Sequence, residues 1–210
     1  IEESTGELMS EMLAEELPQA KIAVLSGPTF AEEAALNKPT ALTLACADER
    51  LGKDLVETLG TKTFRPYYSP DVVSVQIGGA VKNVMAIAAG VVAGKQMGDN
   101  ARAALITRGL AEISRLAVAL GGQAHTLMGL AGLGDLVLTA NSTQSRNFTV
   151  GIELGKGRAL NDILRDKRTV AEGVFTAGAV LKRARALNVE MPICEGLSRI
   201  MNGDASVDDV

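Results

Sequence analysis

Lys82 and Asn83 stand side by side in Gly78-Gly79-Ala80-Val81-Lys82-Asn83, at the start of an apolar, small-residue stretch. Glycine and alanine let a ligand or a second backbone come close, and Val84, Ile87 and Ala88 exclude water. Desolvation tunes a lysine for general acid–base work, so Lys82 is the candidate proton donor or acceptor. The bland alternative is a surface lysine whose stem lies over an apolar helix.

Three further clusters carry polar groups at turns. Ser26-Gly27-Pro28-Thr29-Phe30-Ala31-Glu32-Glu33 follows a short apolar run and opens a helix. Backbone amides at such a turn bind anionic or polar ligand groups. Thr29 with Glu32 also reads as a capping box. Gly129-Leu130-Ala131-Gly132-Leu133-Gly134-Asp135-Leu136 spaces its glycines G-x-x-G-x-G with no strand ahead of it, which is not a dinucleotide fingerprint. It reads as a tight helix-to-helix passage delivering Asp135, and an acid near a lysine orients it; the alternative is a helix cap. Asn141-Ser142-Thr143-Gln144-Ser145-Arg146-Asn147 precedes a helix. Hydroxyls, amides and an arginine there suit an oxyanion or phosphate, or else make an ordinary capped loop. His125, the only histidine, reads as a surface or capping residue, and Arg158, Arg165, Lys167 and Arg168 as a solvated face. Cys46 and Cys194 are isolated, so no metal cluster is expected.

These residues need elements to position them. To about residue 70 the pattern alternates. A helix is expected over Ser4–Glu16 with Ser4 or Thr5 as its cap, then strands over Ile22–Leu25, Thr40–Ala45 and Thr63–Tyr67. A helix from Ala47 to Leu59, capped by Asp48 and stopped by Gly60, lies between the last two. After Pro70 the strands disappear, and helices are expected over Gly79–Gly94, Asn100–Leu120, Arg146–Lys156, Glu172–Leu187 and Pro192–Asn202. The expected class is the end of an α/β domain (residues 1–70) followed by an all-helical domain (residues 71–210). A cleft between two such regions is a common place for a site.

The whole chain sets bounds. Its 210 residues carry 47% hydrophobic and 22% charged side chains and a net charge of −4. That argues against nucleic acid or another generic polyanion as partner. No apolar run reaches 18 residues, so no membrane span is expected. The N-terminal stretch lacks the basic-then-apolar order of a signal peptide. A reducing cytoplasm fits two unpaired cysteines. The chain opens on Ile1 in a helical pattern and closes on what reads as a helix's first turn, which suggests a segment of a longer protein.

Six separated motifs together resemble the bacterial type of NAD(P)-dependent glycerol-3-phosphate dehydrogenase. They are Ser-Gly-Pro-Thr-Phe-Ala-Glu from Ser26, Gly-Gly-Ala-Val-Lys-Asn from Gly78, Ala-Arg-Ala-Ala-Leu-Ile-Thr-Arg-Gly-Leu-Ala-Glu from Ala101, Gly-Leu-Ala-Gly-Leu-Gly-Asp-Leu from Gly129, Ser145-Arg146-Asn147, and Val-Ala-Glu-Gly from Val170. The resemblance implies the end of a doubly wound Rossmann-type domain and a C-terminal domain like that of 6-phosphogluconate dehydrogenase. It implies hydride transfer between NAD(P)H and dihydroxyacetone phosphate, giving sn-glycerol 3-phosphate for phospholipid synthesis, in a homodimer. It implies that Lys82 is catalytic and that Gly27, Thr29, Asp135, Ser145, Arg146 and Asn147 bind substrate, with Asn83 and Thr139 completing the polar lining. Ala31, Arg146, Val170 and Glu172 would touch the cofactor. The family's glycine-rich fingerprint and a second family lysine are absent from these 210 residues, so the chain alone is expected to be inactive.

Two other readings compete. One is another lysine-dependent hydroxyacid or 6-phosphogluconate-like dehydrogenase, against which the Ser145-Arg146-Asn147 cluster and the Gly27-Pro28-Thr29 turn weigh. The other is a helical assembly segment without chemistry.

Overall fold

A computed structural model describes residues 1–166 and 171–210 of the chain. Helix α1 (Met9–Glu16), strand β1 (Ala23–Ser26), helix α2 (Ala31–Ala35), strand β2 (Thr40–Cys46), helix α3 (Glu49–Leu59) and strand β3 (Phe64–Ser69) come first. Seven helices follow: α4 (Val72–Gly94), α5 (Asp99–Ala119), α6 (Asp135–Asn141), α7 (Arg146–Gly155), α8 (Leu160–Asp166), α9 (Glu172–Ala186) and α10 (Pro192–Asn202). Among the described residues no strand lies beyond Ser69. The class is therefore α/β followed by all-α.

The sheet runs β1-β2-β3, with β2 and β3 parallel and β1 antiparallel to β2. The eleven residues of α3 can carry a parallel crossover from β2 to β3. The connection from β1 to β2, residues 27–39, carries only the five-residue α2 and does not make a crossover. β1 therefore turns back against β2. β2 is the buried strand, with Leu42, Leu44, Ala45 and Cys46 in the core.

Helix α4 is the axis of the second region, touching α5, α6, α7, α9 and α10. It starts seven residues earlier than the glycines suggest. Asp71 caps it, accepting from Ser74 N at 2.9 Å, and also takes Gln123 N at 2.9 Å, which ties the end of α5 to the start of α4. Gly78 and Gly79 lie inside the helix and permit close contact instead of breaking it. A Cβ on Gly78 would sit 2.3 Å from the Ala131 carbonyl oxygen. Lys82 consequently lies well inside a helix rather than at its start.

The α4–α7 seam has the same logic. Gly90 and Gly94 on α4 meet Gly151 and Gly155 on α7, and a Cβ on Gly151 would fall 1.9 Å from the Ile87 carbonyl oxygen. Around it Val81, Val84, Met85, Ile87, Ile113, Leu116, Leu136 and Val150 are fully buried. Each such side chain contributes about 1.5–3 kcal/mol on leaving water. α4 corrects one expectation. By length and composition it could cross a membrane, since its polar residues interrupt the apolar run without lowering the mean hydropathy enough. Yet 67% of its most apolar window is buried inside the chain, as in a core helix.

Two caps also differ, and two helices are new. α1 begins at Met9 with Leu8 as N-cap, because Ser4 and Thr5 instead bond the Glu2 carboxylate in a preceding turn. α2 has Phe30 as N-cap and no side-chain cap, so Thr29 does not serve there. α6 and α8 are short helices absent from the sequence expectation; each has only seven residues, too few for periodicity to stand out.

Candidate active site at the junction of the two regions

Lys82 Nζ donates to Asp135 Oδ1 at 2.5 Å. Side-chain exposure is 18% for the lysine and 2% for the aspartate, so the lysine is the more open member of the pair. The pair spans 53 residues of sequence and is placed by backbone packing. Leu130–Gly134 forms a single π-helical turn, closed by Gly134 N to Gly129 O at 3.1 Å. Such turns recur at functional sites. Gly132 lets that turn press on Leu127, whose carbonyl oxygen would be 2.1 Å from a Cβ there. Asp135 then starts α6 under α4.

The aspartate is further held. Thr139 Oγ1 donates to Asp135 O at 2.7 Å and reaches Asp135 Oδ1 at 3.3 Å. Burial pushes the Asp135 carboxyl above its ordinary value of 3.8, while Lys82, Thr139 and Ser26 pull it down. This is a paired buried charge, the arrangement in which the loss of either partner is most costly.

A cavity of about 350 Å³ opens beside the pair, and its wall includes Ser26, Gly27, Thr29, Leu42, Phe64 and Gly79. Strand β1 and its turn thus face α4 and α6 across the junction. Gly27 packs on Leu42, whose Cα would be 2.8 Å from a Cβ at position 27. Thr29 Oγ1 is buried without a hydrogen-bond partner. An orphaned hydroxyl at a cavity wall is open to a partner, a water or a ligand. Ala31, two residues on, is exposed at the start of α2.

The remaining candidates form a neighbouring cluster, outside that cavity's wall. Ser145 caps α7, accepting from Phe148 N at 3.2 Å. Asn147 is buried and its Oδ1 accepts from Gly173 N at 2.9 Å. Arg146 is half-exposed and pairs with Glu172 at 2.7 Å. Gly173 lies against the Asn83 backbone, whose carbonyl oxygen would be 2.6 Å from a Cβ there. The two clusters therefore meet along α4 at Lys82–Asn83. Val170 lies outside the described residues, as do Lys167 and Arg168 of the basic face. His125 is exposed.

Two residues escaped the sequence reading as individuals. Ser26 lines the cavity; its place just before Gly27 in the strand-to-turn motif was the available signal. Glu112, inside the Ala101 motif, is buried and accepts from Ile193 N at 2.7 Å and Cys194 N at 3.3 Å, closing the start of α10. Among the described residues no cluster of three metal-ligating side chains occurs.

A short three-stranded α/β region, a helical region built on one long axial helix, and a lysine–carboxylate pair at their junction define a two-region architectural class. Residues 71–210 match the model for the NAD-dependent glycerol-3-phosphate dehydrogenase C-terminus, and residues 1–52 match the model for its N-terminus. The chain belongs to the NAD-dependent glycerol-3-phosphate dehydrogenase family, and its sheet is the end of a Rossmann-type region. It is 59% identical over 207 residues to glycerol-3-phosphate dehydrogenase [NAD(P)+] of Rhodospirillum rubrum, covering 99% of this chain and 59% of that protein. The Parvibaculum lavamentivorans protein of the same name is 54% identical over 209 residues, covering 100% and 63%. The crystal structure of glycerol-3-phosphate dehydrogenase from Coxiella burnetii matches with a TM-score of 0.93 at 43% identity, over 97% of this chain and 62% of that one. The enzyme from Saccharomyces cerevisiae matches with a TM-score of 0.84 at 26% identity, over 93% and 60%. The chain thus spans about three-fifths of the length of these relatives.

Proposed function

We propose that this chain is the substrate- and proton-handling part of an NAD(P)-dependent glycerol-3-phosphate dehydrogenase. It comprises the end of a cofactor-binding region, residues 1–70, and a helical catalytic region, residues 71–210. The carrying observation is the Lys82–Asp135 pair beside a cavity that holds an orphaned threonine hydroxyl.

When bound, NAD(P)H supplies the hydride that adds to C2 of dihydroxyacetone phosphate. As that carbonyl carbon is reduced, negative charge grows on its oxygen. The Lys82 ammonium stabilises the charge and donates one proton, leaving a neutral amine and the C2 hydroxyl. In the reverse direction the amine accepts that proton. Asp135, with Thr139 behind it, aims the ammonium. The Gly27 backbone and Thr29 hydroxyl offer fixed donors to the substrate. Asn83, Ser145, Arg146 and Asn147 form the phosphate end, with Arg146 exchanging its Glu172 partner for the ligand. Val170 and Glu172 would touch the nicotinamide half of the cofactor and Ala31 and Arg146 would reach it too, and the exposure of Ala31, Arg146 and Glu172 fits a cofactor arriving from solvent.

In the same reading the full-length enzyme is a cytoplasmic homodimer feeding phospholipid synthesis. Two buried, unpaired cysteines support the compartment, and exposed Met128, Leu133 and Val137 around α6 supply apolar surface for a second copy.

The test is Lys82→Ala in the full-length protein, assayed with NADPH and dihydroxyacetone phosphate. The expected loss in kcat is about 10²–10⁴-fold. A rate within about threefold of wild type would end the catalytic reading.

A further inference from the structure

Ser26 has no place in the mechanism above, yet the fold makes room for it at the reacting pair. It is the last residue of β1, and its Oγ would lie 2.7 Å from a Cβ on Gly79. Gly79 and Lys82 are three residues apart on α4 and therefore share a face. The absence of a side chain at position 79 is what lets the hydroxyl sit within one turn of the lysine. Asp135 completes the triangle, for all four residues line one cavity.

The Asp135 carboxylate also has unequal neighbours. Oδ1 takes the Lys82 ammonium at 2.5 Å and stands 3.3 Å from the Thr139 hydroxyl. Both of those partners come from the helical region. Ser26 brings a hydroxyl from the sheet to the same cavity wall as the carboxylate, close enough to favour its ionised form. A hydrogen bond to a charged acceptor is stronger than one between neutral groups.

We propose that Ser26 is a positioning residue that acts through Asp135: its hydroxyl, delivered by β1 across the junction and admitted by Gly79, keeps the carboxylate ionised and aimed at Lys82. The α/β region then contributes directly to proton transfer, beyond carrying cofactor and substrate contacts. This rests on the dehydrogenase reading of the site.

The test uses the full-length enzyme and the variants Ser26→Ala and Gly79→Ala. Without the hydroxyl the carboxylate is protonated more easily, so the acid limb of the kcat–pH profile moves to higher pH by about one unit. At neutral pH kcat falls about tenfold, while KM for dihydroxyacetone phosphate stays within about twofold because Ser26 is assigned no substrate contact. Gly79→Ala, whose Cβ displaces the hydroxyl, shifts the limb in the same direction, and adding Ser26→Ala to it produces no further shift. An acid limb unmoved in Ser26→Ala, or a KM rise with kcat intact, overturns the proposal. Inactive wild-type enzyme instead overturns the dehydrogenase reading, so the two failures are distinguishable.

Discussion

Glu112 is 2% exposed and carries a formal charge into the core of the helical region. Two backbone amides of the first turn of α10, Ile193 N and Cys194 N, donate to its carboxylate, where a helix start favours an anion. Burial nevertheless wins and raises its pKa above the ordinary 4.5. Between 4.5 and the raised value, the folded chain holds a proton that the unfolded chain has released. This contribution to stability is therefore present on the acid side and is lost as pH rises through the folded pKa. Glu112→Gln is neutral throughout and lacks that dependence. Thermal melts should show the Tm of the parent, relative to Glu112→Gln, declining as pH climbs from 4.5 to the raised folded value and levelling off above it. A constant difference would refute it. The sequence hides this residue's role, because a glutamate on a helix reads as solvated until its neighbours 81 residues away are known. Lys82 was legible for the opposite reason: small and apolar neighbours in sequence already announce a special environment.

At the scale of elements, spacing gave most helices and misjudged glycines. Gly78 and Gly79 read as a helix start, whereas they are contact points inside α4. The G-x-x-x-G pairs Gly90/Gly94 and Gly151/Gly155 were present in the sequence, but nothing local says which helix they face. Propensity and packing therefore predict opposite results for two glycine substitutions. Gly151→Ala puts a Cβ 1.9 Å from a carbonyl oxygen of the neighbouring backbone. Overpacking of this kind should cost about 3 kcal/mol, a fall in Tm of roughly 6–12 °C. Gly178, on α9, has no atom within 4 Å of its Cβ position. Gly178→Ala should gain up to about 1 kcal/mol of helix propensity and raise Tm slightly. Calorimetry of both variants checks the pair, and equal shifts would mean the seam is looser than its geometry.

At the scale of the molecule, the boundary between sheet and helices is also where the candidate site residues collect. The alternating pattern to residue 70 and the helical periodicity beyond it were readable because each rests on local repeats. The short helices α6 and α8 and the reversal of β1 were not, since long-range packing decides them. The 210 residues hold the lysine, the carboxylate and the phosphate-binding candidates, but no glycine-rich dinucleotide fingerprint. Purified as they stand, they should show no turnover with NADPH and dihydroxyacetone phosphate, whereas the full-length enzyme should. Turnover by the isolated chain would place the cofactor site within these residues.

The order of synthesis sets a last constraint. Apart from its contacts with α1, β1 and β2, the main helical partners of α4 follow it along the chain: α5, α6, α7, α9 and α10. A ribosome therefore releases 23 residues of mostly apolar helix well before α7, α9 and α10 exist to cover them. During that interval the nascent chain offers a surface that chaperones bind and aggregates grow on. Translation speed between residues 94 and 155, which governs how long the α4 side of the glycine seam waits for α7, should then influence soluble yield more than speed anywhere upstream.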